Sequence, residues 1–112
     1  QSDWLAELII SELRPNDKLY IMGKSFKPET NIVTGSTSVL LANILEERGD
    51  LEVNTFDPYI DEEELDFKIG VYFIGTKHPQ FINFNYPKGS IILDPWRYIP
   101  DLEGVKVIGI GS

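Results

Sequence analysis

The chain contains no cysteine. Disulfides, thiolate metal sites and cysteine nucleophiles are therefore excluded from it. Its one histidine, His78, rules out a His-rich metal cage, and no metal site is expected. Basic residues are scarce: 10 Lys and Arg stand against 18 Asp and Glu, a net charge of −8. Sequence-independent nucleic-acid binding runs on lysine and arginine, so so acidic a chain is a poor candidate for it. No apolar run approaches the roughly 18–20 residues needed to cross a bilayer. No basic segment precedes an apolar one in the manner of a signal peptide. No nucleic-acid or membrane partner is expected, and the cytoplasm is the expected location. The chain opens on Gln1 rather than Met, which reads as processing or as a piece of a longer polypeptide.

What is present suits one α/β domain. The 112 residues are 42% apolar, enough for a modest core. Trp4, Leu5, Leu8, Ile9 and Leu13 recur at helical spacing over 2–13, with Ser2 or Asp3 as cap and Pro15 as stop. KLYIM at 18–22 reads as a strand ending in Gly23, and 24–37, with Pro28 and Gly35, as a loop. Ser36 or Thr37 then caps a helix to 48, with Val39, Leu40, Ile44 and Leu45 as its apolar face and Gly49 as its C-cap. Strands are predicted at 52–56, 69–74, 90–93 and 105–110. The segment 79–87 carries Phe81, Ile82, Phe84 and Tyr86 in no clear period and reads as irregular or as a short helix. A strand, a helix and a strand within some 40 residues form a βαβ unit, and the β-branched, nearly all-apolar strands predict a mainly parallel sheet.

In such sheets ligands sit beyond the carboxyl ends of the strands. There the sequence places Gly23, Lys24, Ser25, Phe26 and Lys27; then Asp57; then Gly75, Thr76, Lys77 and His78; then Asp94, Pro95, Trp96 and Arg97. Lys24, Lys27, Lys77 and Arg97 are four of ten basic residues, and much of the acid is expected elsewhere, on helix faces and at 61–64. A locally positive edge suits a phosphate or pyrophosphate, with Phe26 and Trp96 as a stacking surface. The same residues read equally well as solvated loop lysines and one anchoring tryptophan. Gly23-Lys24-Ser25 is not a P-loop, because the required upstream glycine falls at Lys18. Gly109-Ile110-Gly111 has no following helix to receive a pyrophosphate. The acidic run at 61–64 lacks the spacing of a calcium loop and reads as a solvated turn or helix start. His78 reads first as a loop histidine, then as a ligand contact, and last as a catalytic base.

Five motifs in order carry a family resemblance. IMGKSFKPETNIVTGS at 21–36 resembles the opening of the C-terminal, UDP-binding domain of the UDP-glucose/GDP-mannose dehydrogenase family, a strand followed by G-x-x-F-K-x-x-T-D-D-x-R-x-S-P and a helix. Gly23, Phe26, Lys27, Thr30 and Ser36 stand in register. VNTFDPYI is similar to the family's V-x-x-Y-D-P strand end, VYFIGTKHPQF to its strand plus T-x-H-x-x-F, ILDPWR to its D-G-R segment, and VIGIGS to its closing strand. The resemblance covers 17–112. It implies a three-layer Rossmann-like α/β domain, with a mainly parallel sheet flanked by helices, and leaves 1–16 as a helix and linker from a preceding part of a longer chain.

The resemblance also implies function. Enzymes of this family are NAD-dependent oxidoreductases of polysaccharide biosynthesis that oxidise a UDP- or GDP-sugar alcohol to the uronic acid, usually as dimers or larger assemblies, and a homodimer is the expected parent. NAD and the nucleophilic cysteine belong to an N-terminal domain, and the C-terminal domain holds the substrate nucleotide. Phe26 and Lys27 match the family's nucleotide-contacting pair, with Trp96 and Arg97 at its D-G-R position. No catalytic residue is expected in this chain. The departures are specific: Asn31-Ile32 replace Asp-Asp, Thr34 replaces the arginine that reaches toward NAD, Thr37 replaces proline, and Pro95-Trp96 replace Gly-Arg. Arg97 lies one place beyond, and on an extended segment it points opposite to Trp96. The alternative reading is a non-catalytic binding or assembly module that kept the fold and lost these arginines.

Overall fold

A computed structural model describes residues 2–24, 37–48, 52–63 and 65–110. Phe26, Lys27, Thr30, Thr34, Ser36 and Gly49 lie outside the described residues, as do the side chains of Ser2, Asp3, Thr37 and Val39 and with them the expected N-caps. The elements in chain order are α1 (Ser2–Glu12), β1 (Lys18–Met22), α2 (Thr37–Arg48), β2 (Val53–Phe56), β3 (Gly70–Ile74), β4 (Ile91–Asp94) and β5 (Lys106–Gly109). They match the predicted helices and strands to within two residues at every end.

All five strands are parallel, in the order β2-β1-β3-β4-β5. The three central strands are buried on both faces, which is why their sequences read as continuous apolar runs instead of alternating. Period-two geometry sorts their side chains. Leu19, Ile21, Val71, Phe73, Ile91 and Leu93 face the helices, while Tyr20, Met22, Tyr72, Ile74 and Ile92 face the other way.

The two helices pack on each other and on the first face, burying Ala6 and Ile9 of α1 and Leu41, Ala42 and Leu45 of α2. The expected phase of both helices needs correction. Trp4 is 53% exposed and Leu40 52% exposed, although each was expected on an inward face. In α2 the buried stripe is Ser38, Leu41, Ala42 and Leu45, spaced three, one and three. The segment VLLANIL is apolar on more than one side, so periodicity alone does not fix its rotation.

The opposite face is covered differently. The order 2-1-3-4-5 reverses direction after β1, and right-handed crossovers then fall on opposite faces of the sheet. On the second face, irregular chain and one 3-10 turn, Pro79–Phe81, form the third layer. Its filling is aromatic: Tyr20 stacks on Tyr72 with centroids 4.4 Å apart, Tyr86 meets Tyr72 edge-on at 5.4 Å, and Phe67 meets Phe84 edge-on at 4.7 Å. Tyr72 and Tyr86 donate their hydroxyls to the carbonyls of Lys68 (2.6 Å) and Phe81 (2.8 Å). Burial pushes both phenols well above the ordinary tyrosine range. No described helix is long and apolar enough to cross a membrane.

Candidate functional site

Because every strand runs the same way, the five carboxyl ends share one edge, and the 2-1-3-4-5 order places its reversal between β1 and β3. Ligand crevices of open α/β sheets form outside the strand ends at such a reversal. Here the backbones close in tightly. Gly23 has φ +101°, and a Cβ on it would stand 2.6 Å from Thr76 Cβ. A Cβ on Gly75 would collide with Ser38 Oγ, at the start of α2. Only glycine fits either place.

Three strand ends meet at one buried carboxylate. Asp57, just after β2, is fully buried. Its Oδ2 accepts the Lys24 main-chain N–H (2.7 Å), and its Oδ1 accepts that of Tyr59 (2.9 Å). His78, after β3 and equally buried, places Nε2 3.0 Å from the same Oδ2. A carboxylate only accepts, so this bond puts the proton on Nε2. The imidazole is lined by the rings of Tyr59 (4.7 Å) and Phe81 (5.5 Å), and the main-chain carbonyl of His78 accepts the Tyr98 hydroxyl at 2.6 Å. Asp61 adds an outer bond: Oδ2 takes the Asp57 N–H (2.8 Å) and Oδ1 the Lys24 ammonium (3.0 Å).

A second buried carboxylate orders the other half of the edge. Asp94 Oδ1 accepts the N–H groups of Trp96 and Arg97, both at 3.0 Å, and Oδ2 those of Tyr98 and Ile99, both at 2.8 Å. This makes 94–97 a turn, closed by a 3.4 Å bond from Arg97 N to Asp94 O, and not the extended segment expected. Asp at the first turn position and Pro at the second are its sequence signals. Trp96 and Arg97 nonetheless diverge. The half-exposed Trp96 indole donates Nε1–H to the Ile74 carbonyl at the end of β3 (3.0 Å). Arg97, in the left-handed region at φ 56°, runs its stem along Gly109 of β5.

The expected excess of positive charge at this edge is smaller than the sequence suggested. Lys24 is paired with Asp61, a residue expected in a solvated acidic turn, and Asp57 and Asp94 lie at the same edge. Among the described residues three bases, Lys24, Lys77 and Arg97, therefore face three acids. Lys77 sits 5.7 Å above the ring of Tyr98, whose phenol burial pushes well above its usual range. No group of three His, Asp or Glu side chains among the described residues could hold a metal ion.

Of the four expected substrate contacts, Trp96 and Arg97 stand at this edge, and Phe26 and Lys27 lie outside the described residues. The Asp57–His78 bond is what sequence reasoning missed. Both residues were placed at strand ends, but β1 lies between β2 and β3 in the sheet, and only that strand order brings their side chains together. Beside this edge, on the helical face, a cavity of about 300 Å³ is lined by Ile21, Lys24, Ser38, Asn43, Glu46 and Thr55.

No protein-family model and no curated protein matches the chain. Among solved structures, it is similar to the UDP-N-acetyl-mannosamine dehydrogenase Cap5O from S. aureus, with a TM-score of 0.71 and 18% sequence identity. The likeness covers 96% of this chain but 29% of that one. At that identity, it is a likeness of fold.

Proposed function

We propose that residues 17–112 form the substrate-nucleotide domain of a nucleotide-sugar dehydrogenase, with 1–16 as the helix and linker leading into it. The observation that carries this reading is the fold shared with a nucleotide-sugar dehydrogenase over 96% of the chain, in a sequence whose five motifs resemble that family in order. The ligand is a UDP- or GDP-sugar, bound outside the ends of β1, β3 and β4. Phe26 and Trp96 supply aromatic surface, and Lys27 and Arg97 supply cations for the pyrophosphate. The parent enzyme is a cytoplasmic homodimer of polysaccharide biosynthesis that oxidises the sugar alcohol to the acid.

NAD is the hydride acceptor in that reaction, and the residues present here do not fit it. A dinucleotide needs a short glycine-rich turn opening on a helix N-terminus. The connection from β1 to α2 runs from Gly23 to Ser36 with one further glycine, Gly35. Gly75 is occupied by its contact with Ser38. The cofactor therefore belongs to a further N-terminal domain of the parent, and no step through it is derived from this chain.

A second reading, a binding or assembly module without turnover, draws on Trp96 and Thr34 at the family's arginine positions and on the course of Arg97 toward β5. Calorimetric titration with UDP, GDP and the free nucleosides tests the proposal. Saturable binding of a diphosphate, with much weaker binding of its nucleoside, is expected. Binding of neither would leave the chain without its assigned ligand.

A further inference from the structure

The segment 79–87, whose apolar residues follow no clear period, forms one wall of a groove that the nucleotide-sugar reading does not use. On the second face of the sheet, a cavity of about 520 Å³ opens between the chain leaving β2 and the chain leaving β3. The β2 side contributes Phe56 and Phe67, and the β3 side Gln80, Asn83, Phe84 and Asn85. Burial alternates along 83–86, exposed, half-buried, exposed, buried. That pattern turns Tyr86 into the core and leaves the carboxamides of Asn83 and Asn85 open to solvent on either side of Phe84. The Phe84 ring is held by those of Phe67 (4.7 Å) and Tyr86 (4.9 Å). Gln80 donates from Nε2 to the Tyr59 hydroxyl (2.8 Å).

Each of these features selects a ligand. No acidic or basic side chain is among the described residues lining the groove, so an anion finds no counter-charge there and would be costly to bury. Ring walls fixed before anything binds favour a flat π-system, which stacks on them or meets them edge-on. A purely apolar ligand would leave the amides it covers unpaired. A carboxamide presents a donor and an acceptor side by side, the pattern that pairs with the amino group and ring nitrogen of adenine. The volume lies within the roughly 300–1,000 Å³ of small-molecule sites.

We infer that this groove is a ligand site in its own right, for an uncharged planar heterocycle with hydrogen-bond donors and acceptors on one edge, of the size and chemistry of a purine nucleoside. Phe67 and Phe84 supply the aromatic surface, and Asn83 and Asn85 read the edge. A diphosphate adds nothing here, in contrast to the strand-end site, where it is expected to carry most of the affinity. The inference stands independently of the nucleotide-sugar reading.

Adenosine is the probe, titrated into the isotope-labelled chain and followed by NMR. The side-chain amide signals of Asn83 and Asn85 are expected to shift and saturate, with the Trp96 indole N–H unmoved. ADP is expected to bind within threefold of adenosine. Phe84→Leu keeps apolar volume and loses the ring, and at least a fivefold weakening is expected. The double variant Asn83→Ala/Asn85→Ala alters only exposed side chains, which spares the fold, and should weaken adenosine at least threefold. If Phe84→Leu does not fold, the double variant decides. Absence of saturable shifts, or an affinity that neither variant lowers, would overturn the inference. So would ADP binding more than threefold tighter, which would put the ligand on a cation outside the groove, or shifts centred on Trp96, which would put it at the strand ends. A chain that binds adenosine but neither UDP nor GDP keeps this site and loses the nucleotide-sugar reading. One that binds UDP but not adenosine does the reverse.

Discussion

Nε2 of His78 lies 3.0 Å from Oδ2 of Asp57, and neither side chain exposes surface to solvent. The two residues are 21 apart in sequence and sit on opposite sides of β1. This pair ties the carboxyl ends of β2 and β3 together, and the first prediction concerns its removal. His78→Ala takes away a donor to the Asp57 carboxylate and leaves a void beneath Tyr59 and Phe81. The loss is expected to be about 2–4 kcal/mol, since a buried ionisable group is costly to leave partly unpaired. Urea denaturation monitored by tryptophan fluorescence measures it, and a change below 1 kcal/mol would count against the paired arrangement.

Gly23 should be as intolerant as any core residue. At φ +101° with Thr76 Cβ only 2.6 Å from the Cβ position, Gly23→Ala faces both backbone strain and a clash with a neighbouring strand end. The expected destabilisation is about 2–4 kcal/mol, the sum of a left-handed penalty and local overpacking. A neutral result in the same denaturation experiment would mean that the β1 and β3 ends stand further apart.

Much of this fold was legible beforehand, for a physical reason. Strands buried on both faces need apolar residues at every position, so KLYIM, IGVYFI and SIIL announce themselves. The rotation of α2 was not legible, because Val39 through Leu45 offers apolar residues on several sides and only packing selects Leu41 and Leu45. The turn at 94–97 was legible in principle from Asp-Pro, and was obscured by reading Trp96 and Arg97 against an extended motif. The Asp57–His78 bond was not legible, since nothing local tells Asp57 that its partner lies two strands away.

Alkaline pH should unfold the protein through its buried phenols. Tyr72 and Tyr86 are raised well above the ordinary 10.0 by burial, so the folded state keeps their protons while the unfolded chain gives them up. Stability from this source is complete below pH 10 and declines as pH climbs toward the folded-state values. Tyr72 and Tyr86 together contribute a slope of about 2.7 kcal/mol per pH unit once the unfolded tyrosines ionise, and the raised Tyr98 phenol steepens it further. Urea midpoints across that range, with tyrosinate absorbance as a second probe, check this. A flat midpoint, or tyrosinate appearing before unfolding, would contradict it.

Binding should divide unevenly among the proposed contacts. Lys27→Ala is expected to weaken UDP binding by about 1.5–3 kcal/mol, the range for a hydrogen bond to a charged group. Trp96→Ala should cost about 1–3 kcal/mol if its exposed face stacks on the base. Arg97→Ala should cost less than either, because its stem lies along Gly109, away from the β1–β3 reversal. Titration calorimetry ranks the three. A dominant Arg97 would place the pyrophosphate on the β5 side instead.

The isolated chain should form no reduced cofactor from NAD and a nucleotide sugar. Removing hydride from an alcohol needs an acceptor held against it, and the long β1–α2 connection with its two glycines cannot cradle a dinucleotide. Oxidation onward to an acid, as in the family this sequence resembles, passes through a covalent thiol adduct, and the chain has no cysteine. A serine would need a positioned base, and the single imidazole is fully buried with its Nε2 committed to Asp57. Thr34 stands where the family places the arginine that addresses the cofactor. Under the proposed function, turnover would need NAD and a thiol supplied by another domain. Incubating the purified chain with NAD and UDP-glucose or GDP-mannose, and following absorbance for reduced cofactor, decides the matter. Sustained formation, surviving removal of any contaminating dehydrogenase, would mean that the chemistry lies within these residues after all.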